Sequence, residues 1–268
     1  MDVKVLSNSD GQLKFIANGM DPTFMNAIRR IIMAEVAIPA IEKVYIAENT
    51  SVLYDDIIAH RLGLIPLKGG ETLTLTEKCD CYKKGCPKCE SILTLEVEAA
   101  EDNFVVYSGR MKAEGSVFLA NNNIPIAEMN AGQKLTLEAH ARLGLGKNHA
   151  KWQPVSACAL KYEPIIEIDS KKCDLCGACI EECPKKILKK KDSTIVVTSL
   201  WDCTLCKLCE DACPPAAIKI SYNDRNSMLI VETTGSLTND ELVLAACDVM
   251  LQKCEELKNS IKGLPEAF

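Results

Sequence analysis

The sequence predicts an α+β chain, with helices towards its two ends, a β-rich middle and a cysteine-rich segment before the last strand. Three observations carry this. Apolar residues recur at helical spacing after Asp21 and again after Thr238, residues 71 to 165 alternate apolar with polar side chains, and a cysteine run beginning at Cys173 recurs from Cys203. With 268 residues, 47% of them hydrophobic, the chain is long enough for one large domain or about two or three small ones around real cores.

The elements follow in order. VKVL and LKFIA flank the turn signal from Asn8 to Gly11, which predicts a hairpin over residues 1 to 20. Asp21 is placed as a helix N-cap with Pro22 at the first helical position. Phe24, Ile28, Ile31 and Ile32 then keep one face apolar until Pro39 forbids continuation. IEKVYIAEN reads as a strand, and Tyr54 to Leu62 as a short helix closed by Gly63 ahead of Pro66. The alternation in ETLTLTE, SILTLEVEA and QKLTLEAHA predicts three further strands.

Past the cysteine-rich segment, MLIVETT reads as a strand, and Thr238 with Glu241 forms a capping-box signature for a long helix. Val243, Cys247, Met250, Cys254, Leu257 and Ile261 step along it by four and three residues in turn, the spacing of a seam facing another helix. Such a seam packs either within the chain or against a partner.

The chain has fifteen cysteines. CDLCGACIEECP and CTLCKLCEDACP each read C-x2-C-x2-C-x3-C-P, the spacing of bacterial ferredoxins that hold four-iron clusters. In two-cluster ferredoxins the fourth cysteine of each run ligates the other cluster. The resemblance therefore implies one [4Fe-4S] cluster on Cys173, Cys176, Cys179 and Cys213, and a second on Cys203, Cys206, Cys209 and Cys183. A disulfide-stapled module is the alternative, disfavoured without a secretory segment. Cys79, Cys81, Cys86 and Cys89 lie in a polar loop between strand-like runs, and four thiolates there can close a tetrahedral zinc site. An unmetallated loop and another metal stay open. Cys158, Cys247 and Cys254 read as small hydrophobes in a core.

Composition excludes other classes. No apolar run reaches the roughly 20 residues of a membrane span, and MDVKVLSNSD lacks a signal-peptide core, so the cytoplasm is the expected compartment. A net charge of -6 argues against strong direct nucleic-acid binding, with the lysines at 83 to 84 and 185 to 191 read as solvated faces. His60, His140 and His149 sit in no nucleophile elbow or zinc-protease helix, and GLGKNHA is not a phosphate loop. No catalytic residue is expected.

Residues 24 to 67 carry a further resemblance. The helix NAIRRIIMAEV, the following IPA and the D-x4-H-R-L-G-L-I-P run from Asp55 to Pro66 resemble the alpha-like family of cellular RNA polymerase subunits, which includes the archaeal D-type members and the eukaryotic third-largest subunits. GLGKNHAKWQPVSACALKY, from Gly144 to Tyr162, resembles a second marker of that family. Some members carry a ferredoxin-like insertion after the second marker, and some a zinc-binding loop between the two. Many relatives lack the complete pair of cluster motifs present here. The resemblance implies a discontinuous dimerisation domain, residues 1–40 plus 222–268, with a β-rich insert over 41–165 that contains the 79–89 loop and a ferredoxin-like domain over 166–221. It implies a heterodimer with the small L subunit that seats the small N and P subunits and the large catalytic subunits. Interface residues are then expected at Phe24, Ile28, Arg29, Arg30, Ile31, Val243, Cys247, Met250, Cys254 and Leu257; for Arg29 and Arg30 a plain exposed helix face is the alternative. The chain would serve an enzyme of nucleotidyl transfer without carrying its chemistry, its clusters structural or redox-regulatory. The competing reading is a ferredoxin-type electron carrier, which would have no use for the marker segments.

Overall fold

In a computed structural model, residues 2–9, 11–81 and 84–262 are described. Asp10 of the expected first turn and Lys83 of the basic run lie outside them. The chain divides into two compact units, one built from residues 1–7, 14–27 and 159–230 and the other from 8–13, 28–158 and 231–268.

Strands β1 (Asp2–Ser9) and β2 (Gln12–Asn18) form the expected hairpin. Helix α1 (Pro22–Ala34) starts where proline and an aspartate cap predict, the Asp21 carboxylate accepting from the Thr23 amide at 2.9 Å. Pro39 is not a bare stop signal; it lies inside β3 (Ala37–Asn49), which takes up the chain soon after the helix ends. Helix α2 (Asp55–Gly63) buries Ile58 and Leu62.

After the short β4 (Leu67–Gly69), ETLTLTE is not a strand. It runs as loop into a 3-10 turn, Thr76–Lys78, because the Thr74 amide bonds the Lys88 carbonyl across the cysteine loop and no ladder is available to it. The β-rich part then continues through β5 (Glu90–Glu98), β6 (Phe104–Tyr107), β7 (Lys112–Glu114), β8 (Val117–Leu119), β9 (Pro125–Met129) and β10 (Lys134–Leu145). The main sheet has the order β3-β10-β5-β7, with β4-β8 and β6-β9 as separate pairs. Alternation decides which face is buried: Leu135, Leu137, Ala139 and Ala141 of β10 meet Leu93, Leu95 and Val97 of β5 in the core, while Glu138, His140 and Arg142 stand on the opposite face. The second marker is a packing motif: a Cβ at Gly144 would lie 2.3 Å from the Trp152 indole, whose Nε1 donates to the Arg142 carbonyl at 3.2 Å.

Strand β11 (Val155–Ile168) leads to the short helix α3 (Ala178–Glu181), the hairpin β12 (Leu188–Lys191) and β13 (Thr194–Val197), the short helix α4 (Leu208–Asp211) and β14 (Ile218–Thr233). A four-stranded sheet has the order β1-β2-β14-β11. The expected boundaries at 165/166 and 221/222 fall inside β11 and β14, so strands run through both of them. Helix α5 (Asn239–Lys262) opens on the expected capping box, Thr238 Oγ1 accepting from the Glu241 amide at 3.3 Å and Glu241 Oε2 from the Thr238 amide at 2.9 Å. Among the described residues no helix is long and apolar enough to cross a membrane.

Candidate metal centres and assembly face

The loop cysteines converge. Cys79 and Cys86 sulfurs lie 3.6 Å apart, Cys81 and Cys89 3.6 Å, and Cys86 and Cys89 3.8 Å, with all four mutually within 4.8 Å. A tetrahedron with zinc–sulfur bonds of about 2.3 Å has sulfur–sulfur edges of roughly 3.8 Å, which the three shortest separations here match. Four thiols this close cannot all ionise unaided. Burial pushes Cys89 up to about 12, whereas at Cys81 hydrogen bonds from Cys79, Cys89 and the Gly85 amide outweigh burial and bring the thiol down to about 7. A divalent cation would resolve that conflict by taking all four as thiolates.

The base of this loop is clamped by charge. Glu90, directly after Cys89, faces Arg142 across the β5–β10 ladder, and the guanidinium donates to both its oxygens, at 3.3 and 3.2 Å. His140 joins Glu90 at 2.8 Å through Nδ1 and Glu138 at 2.6 Å through Nε2. Burial would raise the Glu90 carboxyl, but Arg142 and then His140 outweigh it and hold it below the ordinary carboxylate range. The same guanidinium lies close enough to Cys89 to favour a thiolate there, so one cation adjoins both the ladder and the loop. Sequence reading missed this clamp; its signal was an acid directly after the last loop cysteine and a histidine–arginine alternation in EAHAR. With side chains only 11% and 12% exposed, Arg142→Met is expected to cost about 2 kcal/mol by leaving the Glu90 carboxylate with the His140 ring as its remaining partner. Urea unfolding checks it, with Arg142→Lys retaining part of the loss.

The ferredoxin-like runs fold as a repeat. Left-handed residues recur at the same thirty-residue offset: Leu175 (φ 61) and Leu205 (φ 57), Gly177 (φ 87) and Lys207 (φ 63), Lys186 (φ 50) and Ala216 (φ 49). So do the turns that close α3 and α4, Glu181 and Asp211 donating to the carbonyls of Gly177 and Lys207, and Lys186 and Ala216 to those of Cys183 and Cys213. The backbone of the two runs is therefore laid out alike. Cys183, Cys203, Cys206 and Cys209 line one cavity together with Ile166, Ile187, Leu188 and Ile220. Burial raises the Cys179 thiol, and the charges that add to this are those of Cys213, Cys173 and Cys176; burial takes Cys209 up to about 11, helped by Cys183, Cys203 and Cys206. These two sets of neighbours suit two clusters with crossed fourth ligands. At Gly177 a Cβ would meet nothing within 4 Å, so Gly177→Ala carries only the left-handed backbone cost of about 1–2 kcal/mol, to be read from anaerobic thermal unfolding.

The remaining expected residues separate. Cys158 is buried, and burial raises its thiol to about 11. Cys247 and Cys254 are exposed on α5 and belong to no core of this chain. The same helix turns Leu242 and Ala246 inward, leaves Val243 and Met250 half-buried, and exposes Leu244, Leu251, Leu257 and Ile261. The uncovered ridge is therefore Leu244, Cys247, Leu251, Cys254, Leu257 and Ile261; Leu244 and Leu251 are its unforeseen members, detectable by their heptad spacing. On α1, Phe24 and Arg30 are exposed and Ile28 and Arg29 half-buried, with Arg29 Nη1 3.3 Å from the Met33 sulfur. Ile31 is 5% exposed and packs in this chain's own core. His149 accepts from the Lys151 amide at 3.1 Å and caps a 3-10 turn.

Comparison with known proteins matches residues 44–171 to the RNA polymerase Rpb3/RpoA insert domain and residues 165–214 to the 4Fe-4S dicluster domain. DNA-directed RNA polymerase subunit Rpo3 of Methanothermobacter thermautotrophicus is 40% identical, the alignment covering 98% of this chain and 100% of the relative. Its counterpart in Archaeoglobus fulgidus is 40% identical over 98% of both chains. The DNA-directed RNA polymerases I and III subunit rpac1 of Dictyostelium discoideum is 30% identical over 98% of this chain and 82% of its own.

Proposed function

Because the chain belongs to the family of DNA-directed RNA polymerase subunit Rpo3, we propose that it is the polymerase's non-catalytic assembly platform, pairing with the small L subunit through α5. The similarity that carries this reading runs almost end to end, at 98% of the chain. A ferredoxin would need only the part matched by the dicluster domain, residues 165–214; this chain is a polymerase subunit that contains an iron–sulfur domain. Residues 1–40 with 222–268 serve as the dimerisation domain, 41–165 as the β-rich insert and 166–221 as the cluster domain. The exposed ridge of α5 meets L, while Phe24 and Arg30 on α1 are available to the large subunits, and the small N and P subunits dock on the heterodimer. The chemistry of nucleotidyl transfer belongs to the large subunits.

Two [4Fe-4S] clusters, on Cys173, Cys176, Cys179 and Cys213 and on Cys203, Cys206, Cys209 and Cys183, cross-link the inserted domain when bound. Cys79, Cys81, Cys86 and Cys89 hold one zinc ion, and Arg142 and Glu90 orient that loop. The cysteines are thus holding residues, and cluster loss would weaken assembly. The test is anaerobic co-expression with L, N and P, followed by metal analysis and gel filtration, for the parent and for Cys173→Ser with Cys203→Ser. Iron, zinc and a heterodimer are expected from the parent, with less incorporation into polymerase for the variant. Absent zinc removes the loop assignment, and unchanged incorporation removes the structural role of the clusters.

A further inference from the structure

The ferredoxin-like repeat contains an internal comparison for what its fold requires. Between Cys183 and Trp201 stand five lysines, Lys185, Lys186, Lys189, Lys190 and Lys191, against a single acid, Asp192. The thirty-residue offset sets them opposite Pro215, Ala216, Lys219, Ile220 and Ser221. Lys186 and Ala216 share one left-handed turn, at φ 50 and φ 49, and their amides donate to the carbonyls of Cys183 and Cys213. The second half thus builds the same turn with proline and alanine, and the turn leaves four of the five lysines unexplained. A sixth lysine repeats the preference: Lys207 holds φ 63 where the first half has Gly177, a conformation that glycine adopts freely and lysine does not. Lys207 and Lys185 line the same cavity.

All six side chains are exposed, and among the described residues none of their ammonium groups has a hydrogen bond or ion pair. In the β12–β13 hairpin Lys189, Lys190 and Lys191 pair with Val196, Ile195 and Thr194, so no carboxylate stands across the ladder. Alternation puts Lys189 and Lys191 on one face about 6.8 Å apart, a span over which one strand of a duplex presents about two phosphates.

We propose that this lysine face is a contact for the phosphate backbone of duplex DNA. Three features choose that occupant. Lysines are point charges suited to phosphate, without the planar fork with which arginine reads a guanine edge, so the contact is independent of sequence. Residues 185–199 contain no aromatic side chain on which an unpaired base could stack, which favours a duplex over a single strand. None of the large apolar side chains that the chain exposes lies in that stretch, so it offers no anchor for a protein partner. The net charge of -6 limits the strength of the contact, which adds to the polymerase's hold on DNA and does not replace it. The inference uses membership of the DNA-directed polymerase family; neither the number of clusters nor the pairing with L enters it.

The test is fluorescence anisotropy of a labelled duplex of about 30 base pairs with the full-length holoprotein, as salt rises from about 50 to 200 mM. The protein is prepared anaerobically, with iron and sulfide measured on every sample. Lys189→Gln with Lys190→Gln and Lys191→Gln is expected to bind at least about tenfold more weakly at the lowest salt, and to lose up to about three from the salt slope. Lys4→Gln with Lys112→Gln and Lys147→Gln removes the same charge from other exposed positions and leaves binding nearly unchanged. Lys207→Gly gives that position the residue of the first half and lowers the slope by about one. A parent that does not bind, a hairpin variant that binds like the parent, or a control variant that falls as far overturns the proposal. So does tighter binding to single-stranded RNA of the same length, or displacement of the duplex by polyglutamate at equal charge, which would assign the face to RNA or to an acidic protein. Should the hairpin variant lose iron, Lys207→Gly decides: an unmoved slope with iron retained sinks the proposal.

Discussion

Serine at Cys179 and Cys209 together is expected to unfold the inserted domain while the β-rich core stays intact. The reason lies in what that small domain has for a core. Of its nine buried core residues four are cysteines, Cys179, Cys183, Cys203 and Cys209, and the other five are Ile187, Leu188, Ile195, Ile218 and Ile220. So few aliphatic side chains cannot offset the ordering of the segment, and chains of this size ordinarily need metals or cross-links. Six left-handed positions in the two runs, five of them not glycine, add strain of about 1–3 kcal/mol each at the non-glycine residues. Cluster bonds, once formed, would therefore carry the fold. The expected result is loss of the iron–sulfur visible absorbance together with new protease cuts between residues 171 and 216. Digestion of the sheet built on β3, β10 and β5 stays unchanged, because its core of Leu93, Leu95, Leu135 and Leu137 draws nothing from the clusters. A variant that loses its colour but resists protease throughout would refute a structural role for them.

How much of this was readable in advance depends on the range of the forces involved. The capping box at Thr238 and the proline start at Pro22 were legible because their partners lie within one helical turn. The cysteine repeat was legible because its spacing is itself the constraint. ETLTLTE misled because alternation reports which side chains are half-buried, not whether a neighbouring strand is present to pair with. The clamp of Glu90, Arg142 and His140 was hidden because its members, separated by some fifty residues, meet only in the β5–β10 register. The ridge on α5 was half legible: the period gave Cys247, Cys254, Leu257 and Ile261, but a heptad pattern does not reveal which flank the chain's own core takes. Here Leu242 and Ala246 are buried, which turns Leu244 and Leu251 outward. Cys247 and Cys254 were mistaken for core residues for the same reason, since an apolar seam looks alike in sequence whether its cover is internal or a second chain.

That exposed ridge leads to the second large effect. From Leu251 to Lys262 every residue of α5 is exposed, and among the described residues Lys253, 2.6 Å from Glu35, has the one ion pair joining this half of the helix to another element. A helical segment of this length is marginal in water on its own, and a row of Leu251, Cys254, Leu257 and Ile261 turned to solvent contributes no burial to the free chain. Leu251→Glu should therefore leave the fold almost untouched, within about 0.5 kcal/mol, since the side chain is already 65% exposed. Paired with L, the same carboxylate would be buried against an apolar helix without a counter-ion. Association is then expected to weaken by at least about 2 kcal/mol, some 30-fold in dissociation constant. Calorimetric titration of L into the parent and the variant, alongside thermal melts of each alone, separates the two effects. Glu256→Gln serves as a control on the same helix, changing charge without adding a buried carboxylate. If Leu251→Glu binds L as the parent does, the ridge is not the dimer seam, and the half of α5 beyond Met250 has to find its cover in another subunit.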